Sequence, residues 1–152
     1  MIRLSFIRWK DEDLEDLIPG YGTLLRVMAK VRFKTPFGYT KPYDAVVDTG
    51  AHTSLLPLEI WQDLETKILA DYEVRGVAPK PECKVDVKVS KIKCVVFDEL
   101  GNQKGFEIFA YLASVGDIPL ILGFKDLLEK LDLHIEFSEN KAWLGVVKKD
   151  RC

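Results

Sequence analysis

The sequence predicts a mostly β protein, a barrel or sandwich of short strands with two short helices. Three observations carry that expectation. Apolar and polar residues alternate with period two, as where Val27, Ala29, Val31 and Phe33 fall on one face. Clusters of Gly, Pro, Asn and Ser punctuate these runs. Helical periodicity is confined to two brief stretches, 57–68 and 124–132.

Taken in order, IRLSFIRW (2–9) alternates in part and reads as a strand. The run DEDLEDLIPGYG that follows reads as a loop or a short helix. LLRVMAKVRFK (24–34) is a long strand, and FGYTKP (37–42) a turn. YDAVVD (43–48) returns as the second strand of a hairpin, and its AVV core predicts burial on both faces. PLEIWQDLETKI (57–68) predicts a helix: Pro57 suits its first turn, and Leu58, Trp61 and Leu64 form its apolar stripe. YEVRG (72–76), the proline-containing VAPKPEC (77–83) and the half-exposed strand KVDVKV (84–89) come next. KIKCVVFDE (91–99) and FEIFAYLA (106–113) predict a hairpin around LGNQKG. IPLILG (118–123) is a wholly apolar strand, FKDLLEKLD (124–132) a second helix, and 133–137 with 142–147 a closing pair of strands. The expected organisation is an N-terminal extension at 1–23, one domain at 24–147 and a short tail at 148–152.

Composition narrows the classes. The 152 residues suffice for one domain with a real core. Apolar residues make up 47%, charged residues 30%, and the formal net charge is −2. Without clustered Lys and Arg, a nucleic-acid-binding barrel is disfavoured. No apolar run approaches a membrane span, and the start turns acidic before any signal-like segment. Three cysteines, Cys83, Cys94 and Cys152, lack paired spacing, which fits a reducing compartment. His52 and His134 have no second ligand at metal-binding spacing. The expectation is a cytoplasmic protein with no metal, no cofactor, no nucleic acid and no membrane partner.

One carboxylate stands out. Asp48 ends an apolar strand, where desolvating it is costly, and Thr49 and Gly50 follow at once. Alone, Asp48-Thr49-Gly50 is also an ordinary turn with local side-chain-to-backbone bonds. Its context is richer. Ala45-Val46-Val47 precede it and Ala51, Thr53, Ser54 and Leu55-Leu56-Pro57 follow. Gly123, 75 positions after Asp48, closes Leu120-Ile121-Leu122-Gly123 ahead of a predicted helix containing Asp126.

With these two motifs in this order, residues 24–147 resemble the retroviral-type (retropepsin-like) aspartic proteases and the small cellular and prokaryotic members of that clan. The resemblance implies a closed, barrel-like acid protease fold with short helices and a single lobe. It implies peptide-bond hydrolysis by two carboxylates that share a proton, because like charges so close cannot both ionise. One carboxylate activates water while the protonated one polarises the scissile carbonyl. The chain holds one such Asp motif, so the resemblance implies a homodimer pairing two copies of Asp48. It gives Thr49, Gly50 and Ala51 supporting roles in the active loop and sets Gly123 behind it. Alone, Gly123 reads equally as a helix N-terminal glycine.

A hairpin flap is implied at about Val74 to Lys84, with Gly76, Val77 and Ala78 covering a peptide or protein substrate. Pro79 and Pro81 depart from the usual flexible tip, and an ordinary surface loop is the alternative. His52 and Thr53 stand where retroviral enzymes carry acidic residues. Lys125 and Asp126 are displaced by one position, so Asp126 either braces a loop or serves as a first-turn acid. AWLGVV is a candidate interface strand. These departures keep open a catalytically weak or inactive dimeric peptide-binding or assembly module with the same fold. For an active enzyme, the shared proton implies an acidic to mildly acidic optimum.

Overall fold

A computed structural model of the chain describes residues 1–75 and 84–146. The elements are β1 (Ile2–Lys10), α1 (Glu12–Leu17), β2 (Thr23–Thr35), β3 (Gly38–Tyr39), β4 (Tyr43–Val47) and β5 (Ser54–Leu56). They continue with α2 (Leu58–Trp61), β6 (Lys67–Arg75), β7 (Lys84–Phe97), β8 (Gln103–Ala113), β9 (Ile121–Leu122), β10 (Leu131–Glu136) and β11 (Lys141–Val146). The protein is mostly β, as its alternation predicts, and six strands close into a barrel.

The barrel runs β2-β4-β9-β5-β8-β7 and closes where β7 pairs back onto β2. β2 makes closure possible by serving several neighbours. Met28 to Val31 pair with β4 on one edge, while β1 takes the first half of the other edge and β7 the second. At the junction of β1 and β7, buried Asp98 receives the Arg3 N–H at 2.9 Å. Its carboxylate also accepts from the Leu100 and Asn102 backbones and the Asn102 side-chain amide. Desolvation pushes this carboxyl up, but these four donors outweigh it and hold it below its ordinary value.

β4, β5 and β9 explain the unbroken apolar runs. On one side Val47, Leu56 and Leu122 enter the barrel core with Phe33, Ile108 and Leu112. On the other, Val46, Leu55 and Ile121 pack in a second cluster with Val85, Val87 and Ile118. Burial on both faces removes the polar half of the strand pattern.

Both predicted helices are shorter than their periodicity implies. Helix 57–68 is reduced to α2, because Leu64 N–H closes onto Trp61 O and Glu65 N–H is drawn across to Lys34 O on β2. Trp61 fixes the short helix by donating its indole N–H to Ala113 O at 2.7 Å. Helix 124–132 is a turn and a single 3-10 turn at Leu128–Lys130. Asp126 adopts φ +61°, which ends any α-helical path, and its carboxylate accepts from Phe109 N–H on β8. Asp126 therefore braces a loop.

Smaller differences follow the same logic. Segments 84–89 and 91–99 form one strand through buried Ser90, whose hydroxyl accepts Lys67 N–H. Only 121–122 of the 118–123 run pair as strand. The acidic run after β1 holds α1, capped where Asp11 accepts from Leu14 N–H. β11 has in-chain neighbours on both edges, β10 and β1. Within the chain, Ala142 to Leu144 therefore have both backbone edges occupied.

Candidate active site

Asp48 leaves the end of β4 between the two apolar clusters. Parallel pairing with β9 fixes it: Val46 and Val47 align with Ile121 and Leu122, and Asp48 N–H donates to Leu122 O at 3.0 Å. The side chain is half-buried, and Thr49 and Gly50 are exposed beside it. Gly50 N–H donates to Asp48 Oδ1 at 2.8 Å. Ala51 N–H returns to Asp48 O at 3.3 Å, closing the turn. The backbone thus aims the carboxylate and supplies it a donor. Gly50 does not take a left-handed φ. Its value is room, since a Cβ would lie 3.2 Å from Asp48 Oδ1.

The loop from Asp48 to Thr53 is stitched to the segment after β9. Phe124 N–H donates to Ala51 O at 3.0 Å and Lys125 N–H to His52 O at 2.7 Å. Gly123 N–H donates to Ser54 Oγ at 3.0 Å, and Ser54 is fully buried. A Cβ on Gly123 would lie 2.7 Å from Ala51 O and 2.9 and 3.0 Å from Thr53 C and O. The two motifs are therefore in direct contact, Gly123 lying against the backbone of the Asp48 loop. His52 is exposed, and its Nδ1 lies 2.8 Å from Thr53 Oγ1.

Asp48 opens into a cavity of about 550 Å³. Ala51, Leu55 and Ile121 line the near side, and Tyr72, Glu73, Val74 and Arg75 of β6 the far side. Tyr111 of β8 completes the wall and stacks on Tyr72, with ring centroids 5.8 Å apart. Sequence reasoning missed Tyr72, Tyr111 and Ser54. Tyr111 carries no signal in the alternation, since it falls on the face of β8 opposite the barrel-core positions Phe106, Ile108, Ala110 and Leu112. Ser54 carries none, because its partner lies 69 residues away.

β6 and β7 form the arms of an antiparallel hairpin, and Arg75 opposite Lys84 is its last described pair. Gly76, Val77 and Ala78 lie outside the described residues. Glu73 is a second carboxylate lining the cavity, held by Lys84 Nζ at 3.7 Å. Among the described residues no three His, Cys, Asp or Glu side chains gather as metal ligands. Among the described residues no helix is long and apolar enough to cross a membrane. Burial pushes the Cys94 thiol up to about 12, so it is no nucleophile. No family model matches the chain, and no curated protein resembles it at a significant level. The loop thus joins a backbone-aimed carboxylate and an exposed Thr49 to a cavity of mixed polarity with tyrosines in its wall.

Proposed function

We infer that the protein is an aspartic endopeptidase of the retropepsin-like type, working as a homodimer. The carrying observation is the seating of Asp48: a half-buried carboxylate, backbone-aimed, at the mouth of a cavity walled by a β-hairpin. Each chain offers one such carboxylate, and the second in the cavity, Glu73, is engaged by a lysine. Exposure of Thr49 and Gly50 beside Asp48 supports pairing with a second copy, because it leaves this end of the loop open to contact.

In this reading Asp48 and the partner subunit's Asp48 share one proton. The ionised member takes a proton from water as it attacks the scissile carbonyl. The protonated member polarises that carbonyl oxygen, and proton transfer to the nitrogen releases the amine. Gly50 N–H keeps one Asp48 oxygen fixed during both transfers. Substrate lies extended between loop and hairpin, with apolar side chains against Leu55, Ile121 and Tyr111.

The test is cleavage of a mixed peptide library at about pH 4–7, where one carboxyl proton of such a pair is retained. Wild type and Asp48→Asn are compared by mass spectrometry, with sedimentation of both. Cuts by wild type alone, from a dimer, sustain the reading. A folded dimer that cuts nothing points to the module that binds without hydrolysis. The engagement of His52 with Thr53, in place of acidic residues after the loop, favours that second reading.

A further inference from the structure

A second cavity, about 620 Å³, lies on the opposite face of the β6–β7 hairpin from Asp48. The strand register divides most of their linings, with Tyr72 and Glu73 bordering both. Tyr72, Val74, Val85 and Val87 share the face that packs toward the Asp48 cavity and its apolar cluster. Asp71, Glu73, Asp86 and Lys88 share the other, and there α2 contributes Leu58 and Trp61 above Leu112 and Ser114.

The groove has a distinct chemistry. Its floor is apolar, from Leu58, Trp61 and Leu112, and its rim carries three carboxylates against one ammonium. Lys88 is held on Asp71 at 3.0 Å, and Lys84 reaches Glu73 at 3.7 Å. Asp86 is exposed and makes no ion pair among the described residues. The excess charge at the rim is therefore negative. Beside the groove, β6 pairs only with β7 among the described residues, so its outer edge offers backbone donors and acceptors. A strand added there would place every second side chain on the groove side.

From this juxtaposition we propose that the α2–β6 groove is a second peptide-docking site. Its occupant is an extended segment of a partner protein carrying a large apolar side chain between lysines or arginines. The segment adds to the β6 edge, its apolar side chain enters between Leu58 and Trp61, and its basic side chains meet Asp86 and Asp71. A protein docked here is held on the hairpin that walls the Asp48 cavity without entering that cavity. The proposal is independent of whether Asp48 hydrolyses peptides.

The experiment uses the full-length Asp48→Asn chain, so that no probe is cut. The probe is the blocked peptide acetyl-Lys-Lys-Trp-Lys-Lys-amide, against acetyl-Glu-Glu-Trp-Glu-Glu-amide, followed by NMR shifts. The basic peptide is expected to perturb Leu58, Trp61 and Ser114 but not Thr49 or Ala51. The Asp71→Lys/Asp86→Lys double variant, changed only at exposed positions, should weaken it at least about tenfold. The acidic peptide should not bind. Equal binding of both peptides, shifts confined to the Asp48 loop, or no binding at about 1 mM would overturn the proposal. So would self-association abolished by the double variant, which would assign the groove to a second copy.

Discussion

Gly123→Ala tests how the Asp48 loop is held. The added Cβ meets Ala51 O at 2.7 Å, whereas ordinary contact begins at 3.4 Å, so about 0.7 Å must be found. Thr53 C and O, at 2.9 and 3.0 Å, block the same direction. All three are backbone atoms and cannot rotate aside. Relief by parting the two segments would stretch the Phe124 to Ala51 hydrogen bond from 3.0 Å to about 3.7 Å, which is no longer a bond. Overpacking of this kind costs about 1–3 kcal/mol, and the lost bond about 1 kcal/mol more. A total of about 2–4 kcal/mol lowers the melting temperature of a chain this size by about 5–15 °C.

The same displacement moves the loop carrying Asp48, and misplacement of nearly 1 Å costs on the order of 100-fold in rate. Calorimetry with peptide-cleavage kinetics reads both effects. Gly105→Ala is the control, since its Cβ meets only Cys94 O, at 3.9 Å. A Gly123→Ala protein that melts within about 1 °C of wild type and cuts at the wild-type rate would refute the reasoning.

Further outcomes follow from other contacts. Ser54→Ala leaves the buried Gly123 N–H without its acceptor and should cost about 1–3 kcal/mol in denaturant unfolding, with cleavage falling alongside. Glu73→Gln should leave catalysis within a few-fold of wild type, because in the proposed mechanism Asp48 and not Glu73 supplies the dyad; loss comparable to Asp48→Asn would point to a carboxylate pair within one chain. Asp98→Asn should reduce the acid sensitivity of stability. The folded carboxyl lies below its ordinary 3.8, so the folded state binds fewer protons there than the unfolded state. Its contribution is complete above that value and drains away as pH falls toward the lower folded one, which unfolding free energies measured across that range will show. Cys94 should react with a thiol reagent only as fast as the barrel opens, measured by labelling under native conditions.

Much of this architecture is legible from alternation. β2, β7, β8 and the closing pair β10 and β11 announce themselves by period two, and AVV and LIL by its absence. The helices are misjudged because a stripe of Leu58, Trp61 and Leu64 satisfies helical spacing without requiring it. What ends α2 is a bond from Glu65 to Lys34, a strand away, and what ends the second helix is a left-handed Asp126 tied to β8. Neither partner is near in sequence. The candidate site divides the same way. Asp48 and Gly123 stand out through their local motifs, whereas Ser54, Tyr72 and Tyr111 reach the site by register across β5, β6 and β8.

The parallel pairing of β4 with β9 also sets an order of events during synthesis. Asp48 has no seat until Leu122 arrives, and its loop has no brace until Lys125 follows. By then β5 to β8 have already left the ribosome, and their hairpins can form from neighbouring residues. A nascent chain therefore carries an unpositioned Asp48 through about half of its elongation. The loop is braced in one late step, when a two-residue strand slots between β4 and β5 and joins the two sides of the barrel.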